Sequence, residues 1–236
     1  MTEYTKTDPK TIQQMFGSIA KNYDRTNGIL SFKLHKVWNA LLVQEVAKRA
    51  PTRTIVDLCA GTGEIGFGLL TQAKNPVELY LLDFCPEMLA CAKMKEPAGS
   101  HNIHYMQADA QKVPIGDETT DIVTIAYGIR NIQHPEKCIR EAYRILKEDG
   151  VLGILELTQP RNRVLRFGHK IYLSKVLPLI GRFIARDKAA YEYLQSSIPQ
   201  FLPSEKLQEM LLLAGFQTIE SKPLTGGIAT LILAKK

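Results

Sequence analysis

Between Thr54 and Leu157 the hydrophobic period of this sequence switches repeatedly from that of a strand to that of a helix, and few folds accept such a pattern. Thr54–Leu58 is a short β-branched run that predicts a strand. Residues 64–73 predict a helix, 77–82 a second strand, and Pro86–Met94 a second helix with its proline in the first turn. Asn102–Gln107 and residues 121–126 predict the next two strands. Residues 135–146 form an amphipathic pattern with Ile139, Ala142, Tyr143 and Leu146 on one face, Asp149-Gly150 reads as a turn, and 151–157 as a fifth strand. Strands separated by helices pair in parallel, with helices covering both faces of the sheet.

The end of the chain departs from this rhythm. Residues 216–222 and 228–234 read as strands joined only by Pro223-Leu-Thr-Gly-Gly227, too short for a parallel crossover, so they should pair antiparallel. The expected fold class is α/β: a Rossmann-like, seven-stranded sheet with a C-terminal antiparallel hairpin, the layout of class I methyltransferases. The length of 236 residues suits one domain. Within it, residues 1–50 read as an N-terminal helical lid, 51–160 as the cofactor-binding core, 161–214 as a helical segment facing substrate or membrane, and 215–236 as the terminal hairpin.

Right after the first strand stand Gly61, Gly63 and Gly66, spaced as Gly-x-Gly-x-x-Gly. Alone, that spacing also fits a dinucleotide. Here, however, an acidic residue, Asp57, ends the strand before the glycines, and its carboxylate would repel a pyrophosphate. It favours a positively charged ligand such as the sulfonium of S-adenosylmethionine, and Gly61 and Gly63 let the backbone approach that ligand. Asp83, at the end of the second strand beside Phe84, is placed to accept ribose hydroxyls, and Asp109, followed by Ala110, to meet the adenine amino group. The plainer reading of the three aspartates is that each caps its own loop.

Other chemistries find less support. Cys59, Cys85, Cys91 and Cys138 form no Cys-x-x-Cys pair, and His101 and His104 have no ligand cluster around them, so no metal site is expected and the five histidines point to no function. No apolar run is long enough to span a bilayer, and the first residues lack a secretory core, so a cytoplasmic protein is expected. The net charge of +6 is local: between Glu156 and Asp187 there is no acid, but there are Arg161, Arg163, Arg166, Lys170, Lys175, Arg182 and Arg186, interleaved with apolar residues from Val164 to Ile184. That stretch predicts peripheral contact with an anionic membrane surface rather than nucleic-acid binding; an ordinary helical cover on the sheet is the alternative.

The chain resembles the UbiE/MenG family of quinone C-methyltransferases over almost its whole length. The resemblance rests on Met15-Phe-Gly-Ser-Ile-Ala-Lys-Asn-Tyr-Asp24, Asn27, Ser31 and Trp38; on Leu58-Cys-Ala-Gly-Thr-Gly63, Leu82-Asp-Phe84 and Ala108-Asp-Ala110; and above all on Val123-Thr-Ile-Ala-Tyr-Gly-Ile-Arg-Asn131. Later blocks include Pro178-Leu-Ile-Gly181, Ala190-Tyr191 and Ala214-Gly-Phe216. Asp149-Gly150, Ile115 and Asn39 depart from the family pattern. The resemblance implies that Thr62, Asp83, Asp109 and Ala110 bind S-adenosylmethionine with Ala126 close by, that no metal takes part, and that the acceptor is a ring carbon of a prenylated quinol. Demethylmenaquinol is the first expectation; the ubiquinone precursor, or another small molecule, remains open, as does a homodimer.

A ring carbon becomes nucleophilic when a ring hydroxyl ionises, so a quinol and not a quinone must be the acceptor. Arg130, past the fourth strand, is the candidate to stabilise the resulting anion, and Asn131 to orient the other ring oxygen. A structural pairing of Arg130 with Asp24 or Glu156 is the alternative. Tyr23 and Asp24 are expected to cover the cofactor, and Tyr191 to form substrate wall.

Overall fold

The computed structural model describes residues 8–176 and 188–236. Seven strands make one sheet in the order β3-β2-β1-β4-β5-β7-β6. They are β1 (Thr54–Leu58), β2 (Glu78–Asp83), β3 (Asn102–Gln107), β4 (Thr120–Ala126), β5 (Leu146–Leu157), β6 (Thr218–Leu224) and β7 (Ala229–Lys235). β1 to β5 run parallel, and β7 lies antiparallel between β5 and β6. The strand order reverses between β1 and β4, which opens a crevice at their carboxyl ends, the usual ligand position in such sheets.

Side chains alternate across the sheet with the strand period. Val56, Val123, Ile154 and Ile232 face one layer, where α6 (Pro135–Ile145) and α9 (Ser204–Ala214) contribute Ile139, Ala142, Leu207 and Leu211. Ile55, Leu79, Ile122 and Leu233 face the other, built from α3 (Leu34–Ala47), α4 (Glu64–Leu70) and α5 (Pro86–Met94). The remaining helices are α1 (Pro9–Ile19), α2 (Tyr23–Leu30), α7 (Arg163–Ile171), continued by a π-turn at Tyr172–Val176, and α8 (Lys188–Gln200).

Two element boundaries differ instructively from expectation. α4 stops at Leu70 rather than reaching residue 73. β5 reaches back to Leu146, across the expected turn: Asp149 sits in the left-handed region at φ 64°, and the pairing with β4 shifts register between Thr120 and Ile122. The turn signal therefore marks a bulge inside a strand.

The N-terminal helices are fastened over the sheet edge. Asp8 caps α1 by accepting from the Thr11 N–H at 3.1 Å. Gln13 Nε2 donates to the Phe84 carbonyl at 2.6 Å. Asp24 accepts from the Thr62 hydroxyl at 2.5 Å and pairs with Lys95 Nζ at the same distance.

Candidate active site

The glycine turn after β1 depends on backbone that ordinary residues avoid. Gly63 has φ 82°, and a Cβ there would lie 2.6 Å from the Phe67 ring. Cys59 and Tyr127, at the ends of β1 and β4, take φ 57° and 56° without being glycine. Strain of this kind tends to gather at functional sites. Gly128 lets these two turns approach each other, since a Cβ on it would come within 2.4 Å of Cys59 Cβ.

Two cavities open at this point and share Tyr23, Cys59, Gly61, Ala126 and Tyr127. The first, about 230 Å³, lies over the ends of β1 to β4 and is lined by Phe16, Asp83, Phe84, Met88, Asp109, Ala110, Asn131 and Ile132. The second, about 170 Å³, is walled by helices: Asn27, Leu30 and Ser31 of α2 and its following turn, His35, Trp38 and Asn39 of α3, and His169, Tyr172 and Leu173 of α7 and the π-turn. Thr62, Glu64 and Arg130 also line the second cavity.

The three aspartates have unequal roles. Asp83 is 6% exposed; its carboxylate accepts from Gly61 N–H and Cys85 N–H, both at 2.8 Å, and burial raises its pKa against these bonds. Asp109 is exposed and also caps its own loop, accepting from Gln111 N–H at 2.8 Å, as the plainer reading has it. Asp57 stands one residue before the end of β1, whose bounds are those expected, and its carboxylate is buried, accepting from Gly66 N–H at 3.0 Å and the Thr124 hydroxyl at 2.7 Å. Burial raises its pKa to about 7. It borders the second cavity rather than the first.

The other expected residues lie around the same turn. Gly63 supports the turn and is absent from both linings. Thr62 spends its hydroxyl on Asp24, so its side chain latches the N-terminal helices to the glycine turn. Asn131 borders the first cavity and not the second, and its Oδ1 accepts from the Tyr193 hydroxyl at 2.7 Å. Tyr23 lines both cavities. The Tyr191 side chain lies outside the described residues.

Arg130 is 5% exposed and its Nη1 contacts Glu156 Oε1, itself buried, as well as the Tyr127 carbonyl at 2.7 Å. Burial opposes its charge, yet Glu156 keeps it protonated. The expected structural pairing is therefore present, in a residue that also borders the second cavity, where its Nε has no hydrogen-bond partner among the described residues.

Composition had given no signal for several residues of the second cavity. Asn39, a departure from the family pattern, donates to Glu64 Oε2 and accepts from the Tyr127 hydroxyl, both at 2.9 Å. His35 and His169 both border this cavity. His101 and His104 instead serve the sheet edge, bonding Val77 N–H and Glu78. Among the described residues no cluster of His, Cys, Asp and Glu is arranged to hold a metal. Burial pushes the Cys85 thiol up to about 12 and Cys59 well above its usual range, so neither is a ready nucleophile.

α7 has no buried residue. Val164 is 78% and Phe167 68% exposed, next to exposed Arg163, Arg166 and Lys170. Leu173 departs from the expected membrane-facing set, being buried against Ile198. Arg182, Arg186 and the apolar residues from Leu177 to Ile184 lie outside the described residues.

The model of the ubiE/COQ5 methyltransferase family matches residues 4–236. A demethylmenaquinone methyltransferase of Protochlamydia amoebophila is 48% identical over 100% of this chain and 99% of its own length. One from Staphylococcus carnosus is 34% identical over 98% of this chain and 95% of its own. Among solved structures, a SAM-dependent methyltransferase from Aquifex aeolicus aligns with TM-score 0.63 at 17% identity, covering 98% of this chain and 99% of that one, and so shares the fold. The chain belongs to the ubiE/COQ5 methyltransferase family, and its cofactor is S-adenosylmethionine.

Proposed function

We propose that this enzyme transfers the methyl group of S-adenosylmethionine to a ring carbon of a prenylated quinol, converting demethylmenaquinol to menaquinol, in keeping with the names of its relatives. The observation that carries the site reading is the junction of two unlike cavities at Gly61 and Tyr127: one over the strand ends with Asp83 and Asp109, the other walled by helices with Arg130. The residues of the first fit the cofactor. Asp83 is a buried carboxylate at the end of β2 and Asp109 stands at the rim past β3, while Phe84, Met88, Ala110 and Ile132 offer apolar wall for a purine. Asp57 sits beside the junction, where its pKa of about 7 leaves it ready to ionise beside a cation.

When bound, S-adenosylmethionine would supply an electrophilic methyl group, held by the residues of the first cavity. The protein must hold the ring within reach and keep water out, which the cover of Tyr23 and the Thr62–Asp24 latch provide. Arg130, fixed by Glu156, places its guanidinium at the wall of the second cavity, close to where negative charge would develop on a ring oxygen. Residues 1–50 act as lid, 51–160 as cofactor core, 161–214 as substrate- and membrane-facing segment, and 215–236 as the hairpin that completes the sheet.

The acceptor's tail belongs in a bilayer, and α7 supports an approach to that surface. Its exposed apolar and cationic side chains adjoin those of the turn after α2, where Phe32 is 71% exposed beside Lys33. The two segments touch through the Phe32 and Tyr172 rings, 6.4 Å apart, and the Tyr172 hydroxyl donates to the Leu30 carbonyl. Apolar side chains ringed by lysine and arginine suit an anionic lipid surface. Among the described residues no helix is long and apolar enough to cross a membrane.

The deciding experiment is incubation with isotopically labelled S-adenosylmethionine and a short-chain demethylmenaquinol under reducing conditions. Mass spectrometry should find one added methyl on the ring, and the oxidised quinone should remain unmethylated. Failure to methylate the quinol would overturn the reading.

A further inference from the structure

His35 stands in the first turn of α3, 6% exposed, on the wall of the second cavity. Its two ring nitrogens have different fates. Nδ1 lies 2.6 Å from the Ser31 hydroxyl oxygen. That hydroxyl has a single proton, and it donates it to the Asn27 carbonyl, also at 2.6 Å. Ser31 can therefore only accept from the imidazole, so Nδ1 carries the hydrogen. The neutral ring then has its lone pair on Nε2. That atom has almost no accessible surface and no hydrogen-bond partner among the described residues, so a ring hydroxyl meets it only where the bound ring displaces the packing around the imidazole. A buried polar atom without a partner is costly unless a ligand completes it.

We propose that His35 is the general base of the methyl transfer, taking the proton of the ring hydroxyl at Nε2. The proposal rests on the reading of the second cavity as the acceptor site. In this step the O–H bond breaks, its electron pair stays on the ring oxygen, and an N–H bond forms at Nε2. The pair on oxygen raises electron density at the ring carbon, which bonds the methyl group while the carbon–sulfur pair leaves with sulfur. The ring carbon then releases its hydrogen as a proton to solvent. That C–H pair restores the aromatic ring, and the imidazolium returns its proton to the ring oxygen.

The surroundings suit both charge states. Burial lowers the His35 pKa, which keeps the ring neutral and able to accept at neutral pH. Glu64 Oε2, 3.9 Å from Nε2, favours the imidazolium once it forms, and Asp24 acts in the same sense while Lys36 opposes it. The Ser31–Asn27 relay fixes ring orientation, as a base requires. Arg130 in the same cavity has no lone pair to offer a proton, so the two residues have separate duties: one removes the proton, the other faces the charge left behind.

The most direct variant is His35→Asn, whose side-chain amide can keep the bond to Ser31 but has nothing basic at the Nε2 position. With a short-chain quinol it should lower kcat on the order of a hundredfold or more, the scale of general base catalysis, with S-adenosylmethionine affinity within a few fold of wild type. His35→Ala should lose as much and be partly rescued by added imidazole, the rate rising with neutral imidazole and not with imidazolium. Rescue also guards against misfolding, since an unfolded chain would not respond. A His35→Asn enzyme with wild-type kcat, a defect confined to KM, or an unrescued His35→Ala with a native melting profile would overturn the proposal. Absence of turnover in the wild type would instead overturn the acceptor reading.

Discussion

The two cavities meet at the same glycine turn but are assembled differently. The first is framed largely by residues at or just past consecutive strand ends, Gly61, Asp83, Asp109 and Ala126, whose places follow from parallel topology. The second is framed by α2, α3, α7 and α8, with Leu30 and Ser31 facing Tyr172 and Leu194 from far along the chain. A strand-end site is inherited from the sheet. A helix-walled site must be made by packing, and so can change acceptor without disturbing the cofactor.

The sharpest test of that separation is Arg130→Lys. Lysine keeps a charge near Glu156, where arginine uses Nη1 for both Glu156 and the Tyr127 carbonyl, but loses the guanidinium's other N–H groups, among them Nε, which has no partner among the described residues. Turnover should fall on the order of a hundredfold or more, with S-adenosylmethionine affinity nearly unchanged by calorimetry. The lysine variant is more informative than Arg130→Ala, which would leave Glu156 buried without its partner and cost roughly 3–5 kcal/mol of stability. An equal loss of cofactor affinity in Arg130→Lys would mean the cavities are not independent.

The same contrast explains what could be read from sequence. Pro86–Met94 and Asn102–Gln107 match their predicted bounds because a proline at the helix start and a run of alternating side chains are local signals. The strand-end carboxylates were legible for the same reason. Asp57 lies in β1 at its expected place, but that its carboxylate is taken up by Gly66 N–H and the Thr124 hydroxyl depends on how α4 and β4 pack beside it, which the local pattern does not show. The second cavity was mostly illegible. His35 is easily passed over as one of five histidines: Ser31 and Asn27 stand four and eight residues before it, but that they turn onto its Nδ1 depends on the bend between α2 and α3, and Glu64 reaches it only through tertiary packing. The basic run of α7 was visible as charge, but that its apolar residues face outward depends on what does and does not pack against them.

A second test uses that outward face, which belongs to the helix that supplies His169 to the second cavity and nothing to the first. Changing Arg163, Arg166 and Lys170 to Gln should weaken binding to anionic vesicles by about 1 kcal/mol per charge, close to a hundredfold together at low salt. Turnover on a long-tailed quinol in vesicles should fall with it, while a short-chain quinol in detergent-free buffer should react as before. Added salt should weaken the wild type but matter less to the variant. Unchanged sedimentation would remove α7 from the approach to the bilayer.

The first cavity is tested from the other side by Asp83→Asn, which keeps much of the shape around Gly61 and Cys85 but removes the negative charge. Cofactor affinity should drop by about 1.5–3 kcal/mol, the worth of hydrogen bonds to a charged group. With saturating cofactor, kcat should stay within a few fold of wild type. A variant that binds as tightly as wild type would move the ribose away from Asp83.

Asp57 gives the smallest expected effect on cofactor affinity and links the two cavities through pH. Its pKa in the folded protein is raised from 3.8 to about 7 by burial, so the folded state holds that proton more tightly than the unfolded chain. Stability from this group is thus fully present below its unfolded pKa and is lost as pH rises toward 7, by an amount on the order of 4 kcal/mol for a shift of that size. Asparagine can accept from Gly66 N–H and donate to a rotated Thr124 hydroxyl, so it avoids this cost. Without cofactor, Asp57→Asn should melt higher than wild type at pH 8, and the gap should narrow toward pH 5 in differential scanning calorimetry. A bound sulfonium favours the ionised carboxylate, so cofactor affinity of the wild type should fall roughly tenfold between pH 8 and pH 6, as proton and cation compete for Asp57. The Asp57→Asn affinity should be weaker at pH 8 and nearly flat across that window. If both proteins show the same pH dependence, the Asp57 carboxylate only braces the glycine turn, and the positive charge of the cofactor is met by another group at the junction.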